Sequence, residues 1–259
     1  MLNLLFNSFI DSEFFRKFFL RGDTYNTSYL ALGNLIYYCL MNPIGYIYVN
    51  ISNMNYSRRS LMHSNHERRR DFFMTILFAP IFYFIGNNIS LRSQQDVDYL
   101  GIYYNKWNCI MYKYCVWTIP YWIGLQFTHF DVELFRGFSL SPEYIRQWRP
   151  QLWVVALILL AAVLGVLGYD IYCWYEIDLI WVFFAILGVE ILLFVCVTVC
   201  LRKTRFLHFH HYTVAMCCIP FLGIQRPFLN ILCGFVNGVM VEGGSRWGYD
   251  PIWIKKKPP

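Results

Sequence analysis

The run LWVVALILLAAVLGVLGY, residues 152–169, carries no charged side chain over its whole length. A helix of that length rises about 1.5 Å per residue and covers most of the about 30 Å of hydrocarbon in a bilayer. Its apolar character runs all the way round, which leaves no face for water. A chain containing such a run has to fold around lipid or bury the run completely.

The run has company. Apolar blocks also fall at 28–48, 71–86, 107–127, 177–200, 206–224 and 228–241. The first is weakened by Asn34, Asn42 and Pro43, and the last is short for a full crossing. Hydrophobic residues make up 57 % of the chain and charged ones only 15 %, with 20 % aromatic; soluble domains run nearer half and a quarter for the first two. The sequence therefore predicts an all-α fold, a polytopic transmembrane helical bundle of about 6–7 membrane segments. Its expected organisation is an N-terminal interfacial segment with a weak first membrane helix at 1–50, a basic cytoplasmic loop at 51–70, the bundle at 71–254 and a basic tail at 255–259.

The formal net charge of +6 sits in short clusters between the blocks: Arg58 and Arg59, 68–70, 202–205 and 255–257. Nucleic-acid binders present a continuous basic face instead, so the expected partners are membrane lipids and other membrane proteins, with no nucleic acid. Alternating the blocks puts these clusters and Arg136, Arg146 and Arg149 on one side, the pattern of cytoplasmic loops. Arg16, Lys17 and Arg21 fall on the other side if the first block crosses. The stretch MLNLLFNSFIDSEFFRKFFLRGD places its apolar part before its charges, unlike a secretory signal, and Asp11, Glu13 and Asp23 interrupt it as a mitochondrial presequence. An integral membrane location follows, with the secretory-pathway membrane and the mitochondrial inner membrane both open. Of the four glycosylation sequons, only Asn26 and Asn88 lie on the non-cytoplasmic side.

Nine cysteines, most inside apolar blocks, form no CxxC pair and no disulfide framework. The histidines are more suggestive. RFLHFHHYTVAMCC places His208, His210 and His211 at the mouth of the sixth block. On a helix His208 and His211 share a face, and His129 with Asp131 lies at a block end on the same side, so the four define a conceivable zinc or iron site. The single HxHH has no second histidine box for a di-iron desaturase, and no second intramembrane histidine exists for a bis-histidine haem. The simpler expectation is a structural polar cluster: His208, His210, His211 and Tyr212 closing against Glu242, Arg246 and Asp250 at the end of the seventh block. Along that block Asn230, Gly234 and Asn237 share a face, and Gly234 with Gly238 forms a GxxxG step for close helix packing. Glu190, alone in the fifth block, is a candidate proton carrier or a neutral packing residue.

LHFHHYTVAMCCIPFLGIQRPFLNILCGFVNGVMVEGGSRWGYDPIW resembles the C-terminal membrane region of fungal-type LCCL-domain proteins, and PYWIGLQF at 120–127 is similar to their preceding membrane segment. The resemblance covers about half the chain, from about residue 120 onward, and the Cys-rich LCCL domain itself is missing. It implies a membrane bundle without an established catalytic activity. The expected function is thus a non-enzymatic structural or assembly component of a membrane complex. A metal-dependent enzyme built on His208 and His211, and a proton-coupled transporter using Glu190, are the alternatives.

Overall fold

The computed structural model describes residues 28–55, 65–87, 91, 114–127, 148–201, 204–207, 210–224, 226–249 and 252–255. They are helical except for one two-stranded ribbon. Helix α1 is Ser28–Asn55. Helix α2, Asn65–Phe82, runs on into a π-helical turn, Tyr83–Asn87. A second π-helical turn, Tyr114–Thr118, opens the short α3, Ile119–Gly124. Two long helices follow, α4 at Pro150–Glu176 and α5 at Ile180–Leu201. Strand β1, Arg205–Leu207, precedes α6, His211–Cys218, and α7, Pro227–Trp247, precedes β2, Trp253–Lys255.

Side-chain contacts fix how these elements run. At one end Tyr46 Oη donates to the Arg68 carbonyl at 3.0 Å, Ser245 Oγ to the Tyr46 carbonyl at 2.9 Å, and Gln126 Nε2 to Tyr48 Oη at 2.8 Å. At the other, Asn34 Nδ2 donates to the Leu91 carbonyl at 3.0 Å and Trp174 Nε1 to the Phe221 carbonyl at 3.0 Å. Helices α1, α3, α5 and α7 consequently run one way, and α2, α4 and α6 the other. Arg68, Arg69, Arg70, Arg149 and Arg246 gather at the end where α2 and α4 begin and α7 finishes. Arg226, at the opposite end, is held by Glu176.

Among the described residues three helices are long and apolar enough to cross a membrane, α4, α5 and α7. They live in different surroundings. Of the most apolar stretch of α7, 72 % is buried inside the bundle, against 6 % for α4 and 11 % for α5. Leu157, Ile158, Val163, Leu164, Val189 and Leu192 are all more than half exposed, a surface that only hydrocarbon or another apolar partner can cover. The hairpin is turned by Asp178 with φ 57°, a left-handed position that aspartate tolerates, and Leu179 tucks in behind it.

Helix α7 is the hub because glycines let backbones touch it. A Cβ on Gly234 would lie 2.4 Å from the Trp117 carbonyl oxygen. One on Gly238 would lie 2.1 Å from the Tyr121 carbonyl oxygen and 2.8 Å from the Gly124 Cα. The GxxxG step therefore docks on α3 and the π-helical turn before it. Trp117 and Tyr121 stack beside this contact, ring centroids 5.2 Å apart and 8° from parallel.

Three sequence expectations change. The first block is one continuous helix through Pro43, and its polar residues point to partners rather than breaking it: Asn34 reaches Leu91, and Asn42 Nδ2 donates to the Tyr38 carbonyl at 2.8 Å. Helix α1 thus runs past position 50, and α2 begins at Asn65, inside the expected loop. The sixth block is mostly not helical. His210 is extended, α6 starts only at His211 and has eight residues, about 12 Å, and Arg205–Leu207 is a strand; His208 lies outside the described residues. The seventh block is longer than its apolar run, because α7 continues through Glu242, Gly243 and Gly244, all buried.

Substitutions at two glycines should separate packing from lipid exposure. Gly238→Ala is expected to lower the thermal midpoint in detergent sharply or prevent folding. Gly165→Ala on α4, with nothing within 4 Å of its Cβ, is expected to be neutral or stabilising by up to about 1 kcal/mol; tryptophan-fluorescence melts of both proteins measure the difference.

Candidate functional site

The deepest polar cluster lies halfway along α7. Asn237 Nδ2 donates to Asn87 Oδ1 at 2.8 Å, and Asn87 Nδ2 donates back to Asn237 Oδ1 at 3.2 Å, so the two amides form a closed ring of hydrogen bonds. Tyr38 Oη donates to Asn237 Oδ1 at 2.5 Å and accepts from Asn87 Nδ2 at 3.2 Å. Trp117 Nε1 donates to Asn87 Oδ1 at 3.1 Å, and Cys233 Sγ does so at 3.3 Å. Asn87 Nδ2 also lies 3.1 Å from the Phe82 carbonyl, so its two hydrogens are shared among three acceptors, and the second Asn237 hydrogen goes to the Cys233 carbonyl at 2.7 Å. All five residues are fully buried, and the two amides use every donor and acceptor they own.

Both π-helical turns serve this cluster. Asn87 is the last residue of the first, and Trp117 lies in the second. A π turn carries one more residue per hydrogen-bonded loop than an α turn and recurs at functional or specialised positions. Here each one brings a polar group to face α7.

A second cluster closes the basic end. His210 is stacked on Tyr212 at 5.3 Å, and Tyr212 meets the Tyr249 ring edge-on at 5.6 Å. His211 Nε2 lies 3.4 Å from Glu242 Oε2, and Arg246 Nε lies 3.1 Å from Glu242 Oε1, one helical turn further along α7. Glu242 is fully buried while His211 is 30 % exposed, so the carboxylate is sealed under the imidazole. Gly243 permits this: a Cβ there would sit 2.7 Å from both His211 Nε2 and the Tyr212 Cβ. After α7 the chain turns through Gly248 at φ 79°, a conformation that side chains resist. This folds Tyr249 over Gly244, where its hydroxyl meets Thr75 Oγ1 at 3.2 Å. Burial pushes that hydroxyl above the ordinary tyrosine range, so it stays protonated. Removing one partner of a buried ion pair such as Glu242–Arg246 costs about 3–5 kcal/mol.

Of the sequence-derived residues, His210, His211, Tyr212, Glu242 and Arg246 are brought together here, while His208 and Asp250 lie outside the described residues. Asn237 belongs to the deeper cluster, and Asn230, also fully buried, lies two turns before it on α7. Of the conceivable metal set, His129 and Asp131 also lie outside the described residues. His211 faces Glu242 and the Phe127 ring, and among the described residues no group of three or more His, Cys, Asp or Glu side chains could hold a metal ion. Glu190 is half-buried on α5, within electrostatic reach of Cys217 and Cys218 on α6. Tyr38, Asn87, Trp117 and Cys233 were not singled out from sequence. The available signal was Asn87 itself, an amide directly at the end of an apolar block.

Comparison with protein-family models, with curated proteins and with solved structures finds no match to this chain.

A double-mutant cycle tests the amide pair. Asn87→Ala and Asn237→Ala are each expected to destabilise the protein in detergent, since each strands buried donors or acceptors. The pair should be coupled by about 0.5–3 kcal/mol, the range for residues in one network, whereas additive losses would mean that the amides act independently.

Proposed function

We propose that this protein is an integral, multi-pass membrane protein that works without catalysis as a structural or assembly component of a membrane complex. One observation carries the reading. The polar groups of α7 are spent on its neighbours inside the bundle, while α4 and α5 offer apolar surface on nearly every side. A protein whose inner chemistry is closed and whose outer face is apolar is built to be packed against. The alternating direction of seven segments, α1 to α7, supports a count of about 6–7 membrane-embedded segments, with α3 and α6 too short as helices to cross unaided. The gathering of arginines at one end supports a cytoplasmic face there. The order of the histidine cluster, the Gln-Arg-Pro triplet at 225–227, the asparagine- and glycine-bearing helix and Arg246–Gly248 supports kinship with the membrane region of LCCL-domain proteins.

Extraction in a mild detergent followed by native electrophoresis is expected to show the chain in an assembly well above its own 30.9 kDa plus detergent. A monomer that keeps its full cellular activity would overturn the reading.

The compartment is open between a secretory-pathway membrane and the mitochondrial inner membrane. Asn88 directly follows Asn87, which is bonded halfway along α7, so the sequon that can report the compartment is Asn26–Ser28, ahead of α1. We expect a glycosidase-sensitive mass shift that Asn26→Gln abolishes if the chain follows the secretory route; the mitochondrial placement requires that no such shift occurs.

A further inference from the structure

Helix α5 carries a single charged side chain. Glu190 lies midway along Ile180–Leu201, about 15 Å from either end and therefore at the centre of a bilayer that the helix spans. A carboxylate at that depth is expensive, and such residues pair with one another or with other polar groups. Among the described residues Glu190 makes no hydrogen bond and no ion pair. Its described polar neighbours are the thiols of Cys217 and Cys218 on α6, which are weak donors.

The packing around Glu190 shows where a partner would enter. At one end of the seam between α5 and α6 the rings of Phe183 and Phe221 lie 4.9 Å apart. Ile186, Leu187 and Cys218 pack against the same buried cluster, and among the described residues nothing later on α5 joins it. Glu190 comes one turn after Ile186. Beyond it Leu193 and Val195 on α5 are more than half exposed, and so is Val214 on α6, one turn before Cys218. The two helices run in opposite directions, so the seam is closed at Phe183–Phe221 and open towards Val214. Glu190 stands where it opens.

The charge says what fits. The described helices contain no lysine, and their arginines, with those of their caps, sit at the ends of the bundle: Arg68, Arg69, Arg70, Arg149 and Arg246 at one, Arg226 at the other. None reaches the depth of Glu190. Acyl chains offer no donor. A second copy in a two-fold contact presents the same face, which adds a carboxyl rather than a cation. We propose that the open seam between α5 and α6 docks a membrane-spanning helix of a partner protein, one that carries a lysine or arginine at mid-depth opposite Glu190. The proposal rests on the assembly role above and names the contact that the role uses.

The test reconstitutes the full chain, fused to a fluorescent donor, in phosphatidylcholine liposomes. The probes are acceptor-labelled leucine–alanine helices of spanning length with either lysine or leucine at the central position. Energy transfer should show the lysine helix bound about tenfold more tightly than the leucine helix. Glu190→Leu should remove that preference, with a thermal midpoint no lower than wild type to show that the fold is intact. Equal binding of the two helices overturns the proposal, as does a lysine preference that survives Glu190→Leu. Transfer between two copies of the chain that Glu190→Leu abolishes also overturns it, by giving the seam to a second copy. None of these results touches the assembly role itself, which is read from the size of the wild-type chain on native electrophoresis.

Discussion

The ring of hydrogen bonds between Asn87 and Asn237 is the constraint on which this bundle turns. A primary amide placed in hydrocarbon without partners is costly, and at membrane depth water is not there to supply them. Each of these amides must therefore find the other, and the rest of the fold has to let it. Tyr38 from α1, Asn87 at the end of α2, Trp117 before α3, and Cys233 and Asn237 from α7 meet in one fully buried cluster. Sliding any of these elements along α7 by one residue would strand several donors at once. The cluster thus sets register, which apolar packing alone specifies weakly.

Close approach makes that ring possible. Gly234 and Gly238 bring the backbone of α7 against Trp117, Tyr121 and Gly124, near enough for short side chains to span the gap. The same device recurs at the basic end, where Gly243 and Gly244 admit His211, Tyr212 and Tyr249 over the buried Glu242. Helix α7 is consequently surrounded by protein, whereas α4 and α5 are joined to the bundle mainly at one end through Trp174, Phe183, Phe221 and Leu222. One part of the chain is a rigid polar-cored hub, and the other presents apolar surface outward.

Much of this could be read from residue order. The charge-free run at 152–169 marks α4, the GxxxG spacing marks the close face of α7, and the histidine–tyrosine stretch and the EGGSR segment carry chemistry that pairs. The limits were physical. Asn34 and Asn42 look like interruptions in sequence because periodicity does not reveal that a bundle neighbour or the helix's own carbonyl will satisfy an amide. Glu242, Gly243 and Gly244 fall beyond the seventh block's apolar run, and glycine is a poor helix former, yet they are helical, packed against His211 and Tyr249. The strand at Arg205–Leu207 is three residues long and exists only through its pairing with Trp253–Lys255. The π-helical turns at Tyr83–Asn87 and Tyr114–Thr118 have no sequence period at all, so the residues they aim, Asn87 and Trp117, stayed hidden.

A protein organised this way uses its polar residues to hold a shape and its apolar ones to present a surface that hydrocarbon can cover. The claim at the centre is that the two buried amides bond to each other within the bilayer. Solid-state NMR on liposome-embedded protein with labelled asparagine side chains measures this directly. The account requires a short-range cross-peak between the side chains of Asn87 and Asn237, with amide protons that resist exchange into deuterated water. Fast exchange of both side-chain amides and no cross-peak between them would contradict it.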